Sequence, residues 1–428
     1  MNFLINLILT VFLTTSLVYP TAIDLLFLKA VLTVFIIILI LFREISRLGS
    51  NKNDRRSALV WLLALLSFGA FFSAVGAASA GPGVLKMMQV YILWPIVYYY
   101  IFTRINEAGL TRALSISVYA SVYLIFIFCS SLILIALFLG IDNYQSFAEV
   151  ISFGSTVGVA DFSSIFGFTF PGLMSMPFLF GYLSWDVFYV KARSTGPSFK
   201  KVAWLMALVV CLFSGRNALL VVSAAAILIT IYLLPRDSRD VLLRNLIRYI
   251  IYSAIIVIFY LALSDSTYSF GEIYKLLSEN FTSSANQTRA NQAQLLLDGF
   301  ISSPITGVGL GVPHPSVFRS ATSPWSYEMV YHAMLYQTGV IGTMIYIFLM
   351  LVPPLSCFLI CRKNRLLVAR HDGCTYVPIG IGFFCVLIAD STNPYLARFD
   401  AIWMAILLPV LLSRYWYINS PFVTRDPR

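Results

Sequence analysis

The chain reads as an all-α bundle of about twelve membrane-spanning helices, a single transmembrane domain over residues 1–428 with one large loop at 265–329. Three observations predict this. Of the 428 residues, 59% are hydrophobic and only 11% charged, against about 25% charged in a soluble domain. Apolar runs of about 17 residues or more recur along the whole length. The short alternating segments of an outer-membrane barrel are absent.

The runs place spans at 3–19, 22–42, 58–79, 87–103, 113–140, 164–190, 202–213, 218–234, 249–264, 330–355, 374–390 and 401–418. The first lacks a basic leader and an Ala-x-Ala site, so it is a span and not a signal peptide. The run 202–213 is too short to cross alone. It either begins inside the preceding basic connection or pairs with 218–234 as a tight hairpin tipped by Arg216. Span 22–42 carries Asp24 and Lys29, expected to pair with each other or with another helix as structural glue.

Charge orders the connections. Basic residues gather at 43–56, 104–112, 191–201, 236–248, 362–370 and the C-terminus. All these segments fall on one side of the twelve-span arrangement. The positive-inside rule makes that side cytoplasmic and puts both termini there. The net charge of +10 is therefore topological, and nucleic acid is not an expected partner. The cysteines lie in apolar runs or at their inner ends, with none in the large loop, which argues against a disulfide framework.

Six basic residues remain for the opposite face: Lys86, Arg216, Lys275, Arg289, Arg319 and Arg398. Arg216 is the most informative. It sits in Ser214-Gly215-Arg216-Asn217, a polar break between the apolar runs Val202–Phe213 and Ala218–Leu234. A guanidinium there costs roughly 2.5–3.5 kcal/mol on insertion scales and is seldom kept without a task.

The 265–329 loop far exceeds the 12–15 residues of ordinary connections. Within it, Ser283 and Ser284 can cap a helix that opens at Ala285 and ends near Asp298-Gly299, before Pro304. Ala290, Ala293 and Leu297 form its apolar stripe, and Asn286, Arg289 and Gln292 a polar one. Two readings stand: a surface helix over the bundle, or a helix presenting Arg289 and amides to a sugar or phosphate. Gly307-Val308-Gly309-Leu310-Gly311 lacks the strand and helix spacing of a dinucleotide site. It reads as a turn whose backbone approaches a ligand or a helix. Pro313-His314-Pro315 stands too isolated to suggest a metal site.

Glu328 and His332, at i and i+4 after Tyr327, are expected to share the first helical face of the 330–355 span. A carboxylate there either favours the helix N-terminus and anchors the span, or serves as a general base with His332 as neighbour. Asp390, Asn393, Arg398 and Asp400 crowd the last turn on the same side, where a supporting role is expected.

In order, these features resemble the O-antigen polymerase and ligase superfamily. They comprise about a dozen spans, the Ser-Gly-Arg hairpin, a late large loop with an arginine, Gly-x-Gly-x-Gly, and a Glu/His helix running into Tyr336-Gln337-Thr338-Gly339-Val340-Ile341-Gly342. Thr392-Asn393-Pro394-Tyr395 completes the set. The likeness covers residues 200 onward. It implies an inner-membrane glycosyltransferase acting at the periplasmic face on undecaprenyl-diphosphate-linked glycan as donor and acceptor, with a chain-length regulator protein as a candidate partner. Ligases of the superfamily carry a histidine about eleven residues before a Gly-x-x-Gly. Here Glu328 stands at that spacing from Gly339 and His332 is out of register, which favours polymerase over ligase.

The residue types suit such chemistry. Arg216 and Arg289, with Asn217, Gln292 and Arg398, are the expected binders of diphosphate and sugar. Glu328 is the first choice of base and His332 the second. Asp390, Asn393 and Tyr327 are expected to support them. No Asp-rich motif suggests a metal, so no cofactor is expected. A lipid-linked-sugar flippase is the rival, predicting mid-membrane ionisable groups and discontinuous helices in matched halves. A scaffold protein is a third reading, one that leaves the arginines and the loop unexplained.

Overall fold

The computed structural model describes residues 1–20, 22, 24–45, 56–139, 141–153, 158–159, 168–189, 198–214, 216–234, 284–317, 323–363 and 376–418, with scattered residues between 239 and 255. Among them the chain is helical apart from one antiparallel pair of two-residue strands, β1 (Gly158–Val159) and β2 (Phe168–Thr169). The helices are α1 (Asn2–Val18), α2 (Leu26–Ile45), α3 (Arg56–Ala78), α4 (Val84–Arg104), α5 (Glu107–Leu139), α6 (Ile141–Ser152), α7 (Met176–Tyr189), α8 (Ser198–Phe213), α9 (Asn217–Leu233), α10 (Ser284–Ile301), α11 (Val330–Lys363), α12 (Tyr376–Asp390) and α13 (Trp403–Ile418). Helices α2 to α5 and α11 are long and apolar enough to cross a membrane, and α1, α9, α12 and α13 are shorter apolar helices. Large side chains such as Phe27, at 79% exposure, stand out from their faces. Lipid accepts such a surface and water does not. This is a helical membrane protein.

Several expected spans change shape. Among the described residues of the run 164–190, the α-helix begins at Met176. Pro171 opens a 3₁₀ turn ahead of it, after extended backbone at Phe170. At 1.5 Å per residue α7 rises about 21 Å, short of the roughly 30 Å hydrocarbon core. The connection after α5 holds an unexpected helix, α6, and α4 contains one π turn at Gln89–Leu93. The expected span 249–264 lies almost wholly outside the described residues. The 202–213 run is lengthened at its start, as the first alternative expected: α8 opens at Ser198, within the basic connection, and α9 follows from Asn217.

Helices α7 and α12 form the innermost pair, buried along nearly their whole lengths. Glycine permits their approach. A Cβ on Gly181 would lie 2.8 Å from the Gly382 Cα, and one on Gly382 would lie 2.7 Å from the Phe178 oxygen. Small residues at such crossings let dispersion act between backbones, since lipid supplies little hydrophobic drive. Lys29 pairs with Asp400 at 2.7 Å rather than with Asp24, and donates also to the Tyr19 carbonyl at 2.6 Å. This fully buried pair ties α2 to the segment before α13.

Helix α11 is broken. Gly339 adopts φ 64° and ψ −171°, separating a short first piece from residues 340–363, which alone rise about 36 Å. The gap is filled by the backbone of 304–309. Val308 and Gly309 N–H donate to the Tyr336 and Gln337 carbonyls at 3.2 and 2.7 Å, and Val340 N–H donates to Pro304 O at 2.9 Å. Backbone groups that the break would orphan are thereby satisfied, as a membrane protein requires.

Candidate functional site

The glycine repeat is what seats this end of the bundle. Gly307, Gly309 and Gly311 all have positive φ, which side-chain-bearing residues rarely adopt. A Cβ on Gly309 would fall 2.0 Å from the Gly76 nitrogen. The segment also bonds to α3 itself, Leu310 N–H donating to the Phe72 carbonyl at 2.9 Å. The turn expected to approach a ligand or a helix approaches two helices, α3 and α11.

Helix α10 then lies on the first piece of α11. Its buried face is not the expected alanine stripe: Ala290 and Leu297 are exposed, whereas Gln292 and Leu296 are buried. Gln292 Oε1 accepts from the N–H groups of Glu328 and Met329 at 2.9 and 3.2 Å, capping the approach to α11 from another helix. One turn away, Arg289 Nε donates to Glu328 Oε2 at 2.7 Å. The side chain of Asn286 lies outside the described residues. Because α11 opens at Val330, Glu328 precedes the helix and does not share a helical face with His332. His332 sits half-buried in the first turn.

Beside this corner lies a cavity of about 210 Å³. The 323–327 segment and the first turns of α11 form one side of it, α4 another, and residues 394–398 the third. Lys86 and Arg398 bring positive charge to it, Trp325, Tyr91 and Tyr327 bring rings, and Gln337 an amide. Each wall is braced. A Cβ on Gly83 would lie 2.3 Å from the Trp325 ring, so only glycine lets that indole rest on the backbone. Tyr327 accepts the His314 N–H at 2.5 Å, and burial pushes its phenol up to about 12. Gln337 Nε2 reaches the Val312 and Trp325 carbonyls at 3.4 and 3.3 Å.

The third wall is held by Asp390. Its Oδ1 accepts from the N–H groups of Tyr395 and Leu396 at 2.7 and 3.1 Å, deep in the protein. This fixes the turn that carries Pro394 and Arg398, and Arg398 in turn reaches Met174 Sδ at 3.2 Å. Asn393 donates to Thr392 Oγ1 at 3.4 Å within the same turn. Arg216 is the extended residue before α9, and Asn217 is that helix's first residue. The guanidinium of Arg216 lies against the Tyr395 hydroxyl without closing a hydrogen bond of ordinary geometry. Burial pushes the Tyr395 phenol up, and the neighbouring Arg216 partly offsets this.

Among the expected residues, Tyr327 and Arg398 line the cavity itself, and most of the others gather in two groups near it. Arg289, Gln292, Glu328 and Tyr327 meet at the α10–α11 corner; Arg216, Asp390, Asn393 and Arg398 meet at the 391–398 turn. Asp400, expected in the second group, is drawn away by Lys29. Lys86, Trp325 and Gln337 were not singled out from sequence as site residues. Lys86 had only its membership among the six basic residues of that face to mark it. Lys275 and Arg319 lie outside the described residues. Among the described residues no group of three His, Cys, Asp or Glu side chains forms a metal cluster. The chain matches no protein-family model and no curated protein sequence.

Proposed function

We propose that the protein polymerises undecaprenyl-diphosphate-linked oligosaccharide repeat units at the periplasmic face of a bacterial inner membrane, passing the growing chain from one lipid carrier to the next repeat. The observation that carries this is the pairing of Arg289 with Glu328 beside a cavity bearing Lys86 and Arg398, with Arg216 on the adjoining turn. Cationic groups near a helix terminus suit a diphosphate leaving group, and a carboxylate among them suits an attacking hydroxyl.

In this reading an acceptor hydroxyl attacks the anomeric carbon of the donor sugar. The new C–O bond forms as the bond to the diphosphate breaks, with inversion, and the lipid diphosphate departs carrying the electron pair. Arg216 and Arg289 hold its oxygens. Glu328 takes the hydroxyl proton, and His332 is the second choice. In the resting protein the Glu328 carboxylate is held in an ion pair with Arg289. A diphosphate that draws Arg289 toward itself leaves Glu328 Oε2 open to the acceptor hydroxyl.

Deleting the gene and sizing surface polysaccharide tests the proposal. A ladder collapsing to one repeat unit on lipid A–core supports polymerisation, and loss of all glycan from the core points to ligation instead. Transport draws on two observations, the buried Lys29–Asp400 pair, whose charges satisfy each other, and the break of α11 at Gly339. Its backbone groups are already satisfied by the glycine segment, which leaves no open coordination there. Lipid-linked units accumulating in the cytoplasmic leaflet would decide for a flippase.

A further inference from the structure

We infer that the cavity between α4, the 323–327 segment and the 394–398 turn is a subsite for one anionic sugar ring, a unit carrying a carboxylate or a phosphate ester. Size limits the occupant. At about 210 Å³ the cavity falls below the roughly 300–1,000 Å³ of sites for drug-sized ligands, so it takes a single ring and not an oligosaccharide. Charge selects within that class. Lys86 and Arg398 both line the cavity, and no carboxylate does among the described residues. Asp390 and Asp400 act on Arg398, yet neither lines the cavity. Arg398 is thus partly balanced by these two acids and also reaches Met174 Sδ, so the excess positive charge at the cavity comes chiefly from Lys86. Lys86 forms no ion pair with a described residue, so its charge is uncompensated.

The rings argue for a sugar over a bare ion. Trp325 is seated against Gly83 by a contact that no other residue type permits, and Tyr91 and Tyr327 flank the same space. A pyranose offers such rings its apolar C–H face and its rim of hydroxyls to polar groups. Gln337 uses its amide nitrogen on two backbone carbonyls, which leaves its oxygen to accept from a hydroxyl. The inference deepens the polymerisation reading and rests on it for the sugar. It implies that the repeat unit contains an acidic residue.

Titrating the purified full-length protein in nanodiscs with glucuronate, glucose 1-phosphate, glucose and inorganic phosphate tests it, with saturation-transfer NMR as the readout. Saturable binding of glucuronate or glucose 1-phosphate, at least about tenfold tighter than glucose and than phosphate, is expected, since one charge-assisted hydrogen bond is worth about that factor. Preference between the first two identifies a carboxylate or a phosphate as the natural charge. Lys86→Gln, on an exposed side chain, should weaken binding about tenfold, as should Arg398→Gln. Equal affinity for glucose, equal affinity for phosphate alone, or an unaltered Lys86→Gln protein would overturn the assignment. No lipid substrate is present, so such a failure leaves the polymerisation reading standing. That reading fails on a separate result, wild-type glycan length in cells carrying Arg216→Ala.

Discussion

Arg289 on α10 donates its Nε to Glu328 Oε2 at 2.7 Å across the approach to α11, joining α10 to the segment that leads into a helix long and apolar enough to cross a membrane. With 32% and 23% side-chain exposure, the pair has little stabilising weight, about 0.2–1 kcal/mol for such surface bridges. Its value to the protein is expected in chemistry. Arg289→Ala and Glu328→Gln should each leave the melting temperature nearly unchanged while lowering chain extension roughly 10²–10³-fold. Thermal unfolding run beside an extension assay separates the two. A loss of stability matching the loss of activity would reduce the pair to a structural contact.

The glycine segment is expected to be far less tolerant. Gly309→Ala brings a Cβ to 2.0 Å from the Gly76 nitrogen at φ +103°, and Gly339→Ala brings one to 2.3 Å from the Ile305 oxygen at φ +64°. Backbone strain of about 1–3 kcal/mol adds to the clash in each case. Both variants should show lowered yield and lowered melting temperature. Val308→Ala, at a half-buried neighbouring position without positive φ, should show neither.

The Lys29–Asp400 pair gives a different pattern. Breaking a fully buried pair from one side leaves an uncompensated charge and costs about 3–5 kcal/mol. Lys29→Met or Asp400→Leu alone should therefore destabilise strongly, and the double variant should recover most of the loss. A double variant that is stable yet inactive would show that the pair serves function and would revive the transport reading.

Acid should loosen the 313–317 segment. Burial lowers the His314 imidazole below its ordinary 6.5, so the unfolded chain binds the proton more readily than the folded one. Stability from this group is therefore complete above pH 6.5 and declines as pH falls toward the folded value. His314→Gln should flatten that acid slope in unfolding measured between pH 5 and 7.5. An unchanged slope would assign it to other groups.

How much of this was readable in advance varies by element. The α10 helix was plain from its leading serines and following proline, and the early start of α8 was one of two outcomes offered by a run too short to cross. The buried face of α10 was not readable, because the N–H groups of Glu328 and Met329, just before α11, required an acceptor and Gln292 supplied it, a demand set by tertiary packing. The glycine repeat announced a turn, but not that its backbone fills a helix break at Gly339. Lys86 and Trp325 escaped notice because they meet only when α4 and the loop before α11 fold together. The basic residues Arg216, Arg289 and Arg398 stood out because charge is rare on that side of the chain. Rarity could mark them, but only packing could put Arg398 on the cavity wall, Arg289 on Glu328 and Arg216 beside Tyr395.

The most direct measurement is chain extension by the purified protein in vesicles, supplied with a synthetic undecaprenyl-diphosphate oligosaccharide and read by the length distribution of lipid-linked product. Polymerisation predicts a ladder from the wild type and a product no longer than one repeat from Glu328→Gln and Arg216→Ala, both still folded. A wild-type protein that leaves the substrate at its starting length, or variants that build the same ladder, would contradict the account.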